Sequence, residues 1–522
     1  MGGILAAAAV AAGTLVGAAA AGPPAVAAAA AGTGTGWLHT NGSKIVDSAG
    51  ATVRLTGINW FGMETGTQTF DGLWAGKPAT WTQQLDHMAS LGYNTIRVPY
   101  TGSAITAGAV SGVNTDTNPD LIGLTPMQIL DKVVDYAGNK GMRIILDRHR
   151  PTIAGQTPLW NGNSVSEASM IADWKTMANH YKNNTTVVGA DLFNEPHAEG
   201  TDPNGTGANW GGGGARDWRL AAERIGNAIL SVQPNWLIIV EGVSCDLPSG
   251  GSPDTWDNKP DDPMTCGWWG GNLSMAREFP VRLDVPNRLV YSAHEYGISV
   301  YDRQPWFKDA NFPANLPAVW DHFWGYLHKE NIAPVLVGEF GSTLRDPMDA
   351  QWLKALMAYM GKGPDGMSFT YWSWNPNSGD TGGIVSDDWN TVNEAKQSIL
   401  SPYLIPPIAR PTPSTSGSNT TPTPSGTCSA TFTQVNSFEG GFQGEVTVKA
   451  GTSAIKSWTV TWPLDGGQSI SQLWNGTLTT SGTQATVKSL AWNGALKAGA
   501  STAFGFSASG TAGTPVLACA AA

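Results

Sequence analysis

The sequence predicts an α/β fold, a (β/α)8 barrel over residues 37–404, followed by a small all-β sandwich over 428–522. Three observations carry this expectation. Eight short apolar runs alternate with helical patterns between Trp37 and Leu404, as strands and their covering helices do in a closed parallel barrel. No glycine-rich phosphate loop follows the first run, which a doubly wound sheet would call for. Past residue 427 the helical period disappears and two-residue alternation takes over.

Taken in order, residues 1–36 are mostly Ala, Gly and Val, with no charged side chain. They read as a secretory leader with Ala-x-Ala sites before Gly32, although no Lys or Arg precedes Lys44 to form a basic n-region. Gly13, Gly17, Gly22, Pro23 and Pro24 interrupt the stretch and argue against a membrane anchor. The expected product is secreted, extracellular and monomeric, with no membrane contact once the leader is removed.

The strand candidates are Arg54–Trp60, Thr95–Tyr100, Arg143–His149, Val187–Glu195, Trp236–Gly242, Leu289–Tyr296, Ala333–Phe340 and Met367–Trp374. Helices are expected at Trp81–Leu91, Met127–Asn139, Glu167–Tyr181, Trp218–Val232, Val319–Lys329 and Ala350–Met360. In Trp218–Val232, for example, Leu220, Ala221, Ile225, Ala228, Ile229 and Val232 share one face. Gly92, Gly141 and Pro234 stand where such helices should stop. Residues 405–427 are rich in Pro, Thr and Ser, cannot bury a core and read as an extended linker.

Composition narrows the partners. A net charge of −11 gives no reason to expect nucleic acid. The 23 Trp residues are abundant, and an indole face suits a sugar ring as well as a core. Four cysteines fit two disulfides in an oxidising compartment, with Cys245–Cys266 and Cys428–Cys519 as the expected pairs. No cofactor is called for. Asp147, His149 and His294 could ligate a metal, yet no His-x-His ends the first strand, and none is expected.

Catalytic groups of a (β/α)8 barrel sit at the C-terminal ends of its strands. Those ends supply Arg97, His149, Asn194 with Glu195, Glu241, His294 with Tyr296, Glu339 and Trp372. Polar residues closing so many apolar runs point to one shared polar pocket. Two carboxylates in it, Glu195 and Glu339, suit glycoside hydrolysis, where one holds a proton and the other stays ionised. An ionised Glu339 would raise the pKa of Glu195, and a neighbouring Arg97 would favour charge on Glu339.

These residues carry a specific resemblance. Asn194-Glu195-Pro196 and Gly338-Glu339-Phe340-Gly341 resemble the signature of glycoside hydrolase family 5. Arg97 in Asn94-Thr95-Ile96-Arg97-Val98-Pro99, His149 after Asp147-Arg148, His294 and Tyr296 in Ser292-Ala293-His294-Glu295-Tyr296, and Trp372 in Trp372-Ser373-Trp374 extend it. The likeness runs from about Trp37 to Tyr403 and is greatest to bacterial endo-β-1,4-glucanases. It implies a retaining mechanism with Glu195 as acid/base and Glu339 as nucleophile. It further implies that Arg97 and Tyr296 orient Glu339, that Asn194 binds the sugar 2-hydroxyl, and that His149 and His294 line the cleaved bond. Trp372 would stack under the sugar before the cut, and Trp74 and Trp269 match loop positions that stack glucose. Trp60 reads as core and Glu241 as a structural hydrogen-bonding group. Phe193 replaces the His that often precedes Asn-Glu-Pro and should alter packing more than chemistry.

The last domain resembles a family 2 carbohydrate-binding module through Cys428 and Cys519, Ser457–Trp462, Trp474-Asn475, Trp492-Asn493-Gly494 and Phe504-Gly505-Phe506. The resemblance implies a planar binding row of Phe438, Trp474 and Trp492, with Trp458 and Phe504 buried. Phe438 offers less face than the family's usual Trp. The expected substrate is cellulose or a related β-glucan. Mannanase or xylanase activity, or a non-catalytic polysaccharide-binding role, are the alternatives the sequence leaves open.

Overall fold

The computed structural model describes residues 2, 32–198, 207–211, 213–244, 268–408 and most of 428–521. Most of the expected leader, Cys245 and Cys266, and the side chain of Phe438 lie outside the described residues. No helix among the described residues is long and apolar enough to cross a membrane. The chain forms two compact units that divide between residues 414 and 415.

Among the described residues of the first unit, eight parallel strands close into a barrel. In chain order they are Thr56–Asn59, Thr95–Tyr100, Arg143–Arg148, Val187–Asp191, Leu237–Glu241, Leu289–Tyr296, Val335–Gly341 and Ser368–Tyr371. Each pairs with its sequence neighbour, and the eighth returns to the first through Phe369 opposite Thr56. Seven of the eight are buried from end to end, the sixth being only half-buried at its two termini. Such strands read as continuous apolar runs because helices cover one face and the barrel interior the other.

The helices begin where local chemistry satisfies their free amides. Thr80 and Thr125 each form a capping box with the Gln three residues on, ahead of Trp81–Ser90 and Pro126–Asn139. Ser166, Asp217 and Asp346 cap Glu167–His180, Trp218–Leu230 and Pro347–Met360. Gly92 and Gly141 follow two of these helices with φ of 101° and 77°, the left-handed stop that glycine takes without a steric cost.

One expected helix is composite. The stretch expected at Val319–Lys329 begins at Leu316 and consists of Leu316–Trp320, a π turn at Asp321–Gly325, and Tyr326–Lys329. Trp320, just before the widening, and Trp324, within it, are both buried.

The N-terminal end of the barrel is sealed by a small antiparallel sheet of His39–Asn41, Lys44–Val46 and Thr52–Val53. Leu38, Ile45, Val53 and Leu55 pack there against Ile145, Val188, Leu237, Ile239, Val290 and Leu336 from the barrel strands. Ahead of it, the Arg143 guanidinium donates to the carbonyls of Thr33 and Gly34. The last described residues of the unit return to this same end of the barrel, where Asn94, bonded to the Arg143 amide, donates to the Ile405 carbonyl. The apolar plug at one end leaves the opposite mouth free for polar chemistry.

The second unit is a β-sandwich. One sheet runs Cys428–Phe438, Gly441–Ala450, Ser501–Ser509, Ile470–Trp474; the other runs Thr477–Ser481, Gln484–Lys488, Trp458–Pro463, Ala518–Ala521. Its core contains Val446, Val448, Trp458, Val460, Trp462, Val487, Phe504 and Phe506. The Trp458 and Phe504 rings stack at 5.4 Å. Cys428 and Cys519 form a disulfide that ties the two ends together.

Candidate active site

The site is organised by a fully buried guanidinium, Arg97, on the second strand. All five of its N–H groups are engaged, the full capacity of an Arg side chain. Nε donates to Asp191 Oδ2 at 2.8 Å. One terminal nitrogen donates to Asn59 Oδ1 at 3.1 Å and Glu339 Oε1 at 2.6 Å. The other donates to Asn194 Oδ1 and Glu241 Oε1, both at 2.9 Å, and lies 3.2 Å from Asp147 Oδ2. Five strand ends are thereby tied to one cation. Burial alone would make the cation easier to deprotonate, but the four surrounding carboxylates more than reverse that. Burial pushes Asp191 well above the carboxylate range, with Arg97 opposing and Glu241 and Asp147 reinforcing it.

Glu339 is aimed by a bulge. The register between the sixth and seventh strands shifts between Val337 and Glu339, and Gly338 occupies the shift. A Cβ at Gly338 would stand 2.5 Å from Ser292 Oγ and 3.1 Å from His294 Nε2, so a larger residue here would press on the Ser292 hydroxyl and the His294 ring. The Tyr296 hydroxyl donates to Glu339 Oε2 at 2.6 Å. Burial pushes the Glu339 carboxyl up, but the positive fields of His294, Arg97 and His149 and the Tyr296 hydrogen bond outweigh it and leave it below the usual range.

Glu195 follows the fourth strand at φ 50°, a left-handed conformation that a side chain of this kind takes at a steric cost. Glu241 holds it there by accepting the Glu195 amide at 2.7 Å. His294 Nδ1 lies 3.0 Å from Glu195 Oε1, and its Nε2 lies 3.3 Å from Glu241 Oε1. Burial raises the Glu195 pKa above its ordinary value; the His294 hydrogen bond opposes this and the Glu339 charge adds to it. His294 is itself raised well above an ordinary imidazole, because the Glu241 and Glu339 charges overcome its burial. His149 is raised as well, since Asp147, 2.7 Å from its Nδ1, overcomes burial in the same way. One oxygen of Glu195 and one of Glu339 lie within 4.8 Å of each other, with a His294 nitrogen in the same cluster.

A cleft of about 480 Å³ opens above this pair, lined in part by His149, Asn194, Trp269, Tyr296 and Trp372. The Trp372 ring lies parallel to His149 at 5.5 Å and to Phe61 at 5.3 Å. Trp269 is 37 % exposed and stacks on His197 at 3.8 Å. Trp74 is 40 % exposed, meets the edge of Trp389 at 5.9 Å, and does not line this cleft. Trp268 borders the cleft but is largely buried, its indole donating to the His294 carbonyl. Trp60 is core, and Phe193 packs edge-on against Trp218 away from the acids.

Sequence reasoning passed over several members of the site. Asn59 ends the first strand as the other polar groups end theirs and could have been read the same way. Asp191 lies within its run and gave no such signal, and Asp147, also within its run, was marked only as a possible metal ligand and not as a partner of Arg97. His197, just past the Asn-Glu-Pro stretch, bonds the Glu195 carbonyl and backs Trp269. Gln156 donates to the Asn194 carbonyl from the loop after the third strand, where nothing in the pattern marks it.

Among the described residues, three groups of His and carboxylate atoms lie close enough to share an ion: Asp147, His149 and Glu339; Glu195, His294 and Glu339; and Asp147, Asp191 and Glu241. The Arg97 guanidinium already bonds or pairs with all three members of the last. In the first two, Glu339 is bonded by both Arg97 and Tyr296.

In the sandwich, Trp492 is 68 % exposed, and Trp474 is half-buried, its ring close against Gly505. Trp458 and Phe504 are buried.

Comparison with known proteins agrees with this arrangement. Residues 46–378 match the family model for cellulase (glycosyl hydrolase family 5), and residues 428–521 match that for a cellulose binding domain. An endoglucanase of Paenibacillus polymyxa is 48 % identical over 378 residues, covering 72 % of this chain and 88 % of the relative. The major extracellular endoglucanase of Xanthomonas campestris is 37 % identical over 507 residues, covering 92 % and 96 %. Among solved structures, a cellotetraose complex of an endocellulase from Pyrococcus horikoshii superposes with a TM-score of 0.64 at 40 % identity, covering 70 % of this chain and 98 % of that one. With its barrel, its paired carboxylates and these relatives taken together, the chain belongs to glycosyl hydrolase family 5, the cellulases, and carries a cellulose binding domain after the barrel in sequence.

Proposed function

We propose that the chain is a secreted, monomeric, retaining endo-β-1,4-glucanase in which Glu339 is the nucleophile and Glu195 the acid and base. The observation that carries this reading is the spacing and polarisation of the pair. Their oxygens approach within 4.8 Å, and the two pKa shifts run in opposite directions. Retaining glycosidases hold their carboxyls about 5–5.5 Å apart, whereas inverting ones leave about 6.5–9.5 Å for a water.

In the first step Glu339 attacks the anomeric carbon while Glu195 gives its proton to the departing glycosidic oxygen. Glycosylation removes the Glu339 charge, which had helped to raise the Glu195 pKa. Glu195 therefore becomes a better base for the second step, taking a proton from water as the water attacks the same carbon. Two inversions give net retention. Arg97 and Tyr296 orient the nucleophile. With Asn194 Oδ1 engaged by Arg97, its amide N–H is available to the sugar 2-hydroxyl. His149 and His294 flank the cleaved bond, Trp372 stacks under the sugar before it, and Trp269 and Trp74 serve sugars farther along the chain.

Cellulose is the substrate this reading favours, supported by the endoglucanase relatives and the cellulose binding domain. Phe438, Trp474 and Trp492 would form the binding row of that domain. Extracellular export is supported by the Xanthomonas relative's description. The test is chemical rescue. Glu339→Ala should lose turnover and regain part of it in azide, giving a glycosyl azide of inverted configuration, whereas Glu195→Ala should be rescued with retention. The opposite pairing of outcomes would exchange the two roles. Initial rates on carboxymethylcellulose, glucomannan and xylan, measured side by side, decide the polymer.

A further inference from the structure

We propose that Lys396 is a positioning residue for the Trp372 indole, acting through the turn at residues 381–383. Lys396 lies on the last helix of the barrel unit, Glu394–Leu400, and is 1 % exposed. Its Nζ donates to the carbonyls of Thr381 at 2.6 Å, Gly382 at 3.2 Å and Gly383 at 3.3 Å. An ammonium has three protons, and here each meets one backbone oxygen.

Burying an ammonium is costly when no carboxylate bonds it. Burial pushes this one down to about 8, with Asp349 opposing. A methionine could fill the same volume without that cost, but it would take the ammonium donor from the Thr381 and Gly383 carbonyls and leave the Gly382 carbonyl only the Thr381 hydroxyl. The arrangement therefore makes most sense as a means of fixing one shape of the turn rather than as a source of stability.

That shape is transmitted to the cleft. Thr381 Oγ1 is 3.1 Å from Ser378 Oγ, and Ser378 Oγ accepts the Trp372 indole N–H at 3.1 Å. This is the polar tether of a ring that otherwise rests on the flat faces of His149 and Phe61. Parallel faces resist tilting but permit sliding, so the tether fixes where the indole lies in its own plane. Asp380, between Ser378 and Thr381, lines the cleft as well. Lys396 touches neither the cleft nor either catalytic acid.

The proposal rests on the reading of Trp372 as a sugar platform, and a double-mutant cycle separates the two. With a soluble cellooligosaccharide, Trp372→Ala should lower kcat/KM. Lys396→Met should lower it about tenfold in the wild-type background and less than twofold in the Trp372→Ala background, because the partner it positions is gone. The pH dependence set by the acid pair should keep its shape. Equal factors in both backgrounds would overturn the role of Lys396 and leave the platform standing. A Trp372→Ala enzyme with unchanged kcat/KM would remove the platform, and the proposal with it. Thermal melts establish that each variant is folded at the assay temperature. Should Lys396→Met not fold, Ser378→Ala cuts the same path with the lysine intact. Its cycle with Trp372→Ala must be equally non-additive, and an additive result overturns the proposal.

Discussion

At the scale of single residues, the opposed shifts of Glu195 and Glu339 become a pH profile. The acid must be protonated, so activity is lost as pH rises through the elevated Glu195 value. The nucleophile must be ionised, so activity is lost as pH falls through the depressed Glu339 value. In Glu195→Ala, assayed on an aryl cellobioside whose leaving group needs no proton, the alkaline limb of kcat/KM should vanish and the acid limb should stay. An alkaline limb that persists would place the essential acid elsewhere. Both acids were legible in the sequence because each closes an apolar run with a charge. The shell was less so: Asp147, inside its strand, and Asp191, at the end of a strand shorter than its apolar run, pair with Arg97, a relation set by the barrel's closure and not by spacing along the chain.

Elements decide how closely those residues approach. The bulge at Gly338 brings Glu339 beside His294 and Tyr296, and a methyl there would meet the Ser292 hydroxyl and the His294 ring. Gly338→Ala should lower kcat/KM by roughly 10- to 100-fold, as a displacement of about an ångström in the nucleophile does, while leaving a folded barrel by circular dichroism. Full activity would show that the strand can yield. Strand identity and order were readable from the apolar runs, but several ends were not. The fourth strand leaves its ladder at Asp191, four residues before Glu195, because the chain bends to give Glu195 its left-handed backbone. The π turn at Asp321–Gly325 was likewise hidden, since a continuous helical pattern carries no mark of a single wider turn.

For the whole molecule, the expected division of labour follows from composition. Removing residues 415–522 leaves the barrel unit and its cleft intact, so hydrolysis of soluble carboxymethylcellulose should be unchanged. Rates on insoluble cellulose should fall several-fold, because tethering to the solid raises the local concentration of the polymer. Equal losses on both substrates would deny the second domain a targeting role. The exposed Trp492 is the residue whose loss should reproduce most of that effect in a binding assay. The two-domain plan was legible because a Pro/Thr/Ser tract separates two different hydrophobic periods.

The left-handed backbone at Glu195 has a consequence for how this protein can change. At φ 50° a glycine would sit without strain, and the present residue gives up about 1–2 kcal/mol. Its raised pKa adds to that: the folded state holds the acid's proton more tightly than the unfolded chain, so stability falls as pH rises through the interval between the two values. Selection for thermal robustness alone would drift this position toward glycine and a silent barrel. Libraries screened only for melting temperature should therefore accumulate inactive clones here, and any effort to harden the scaffold has to keep turnover in the screen.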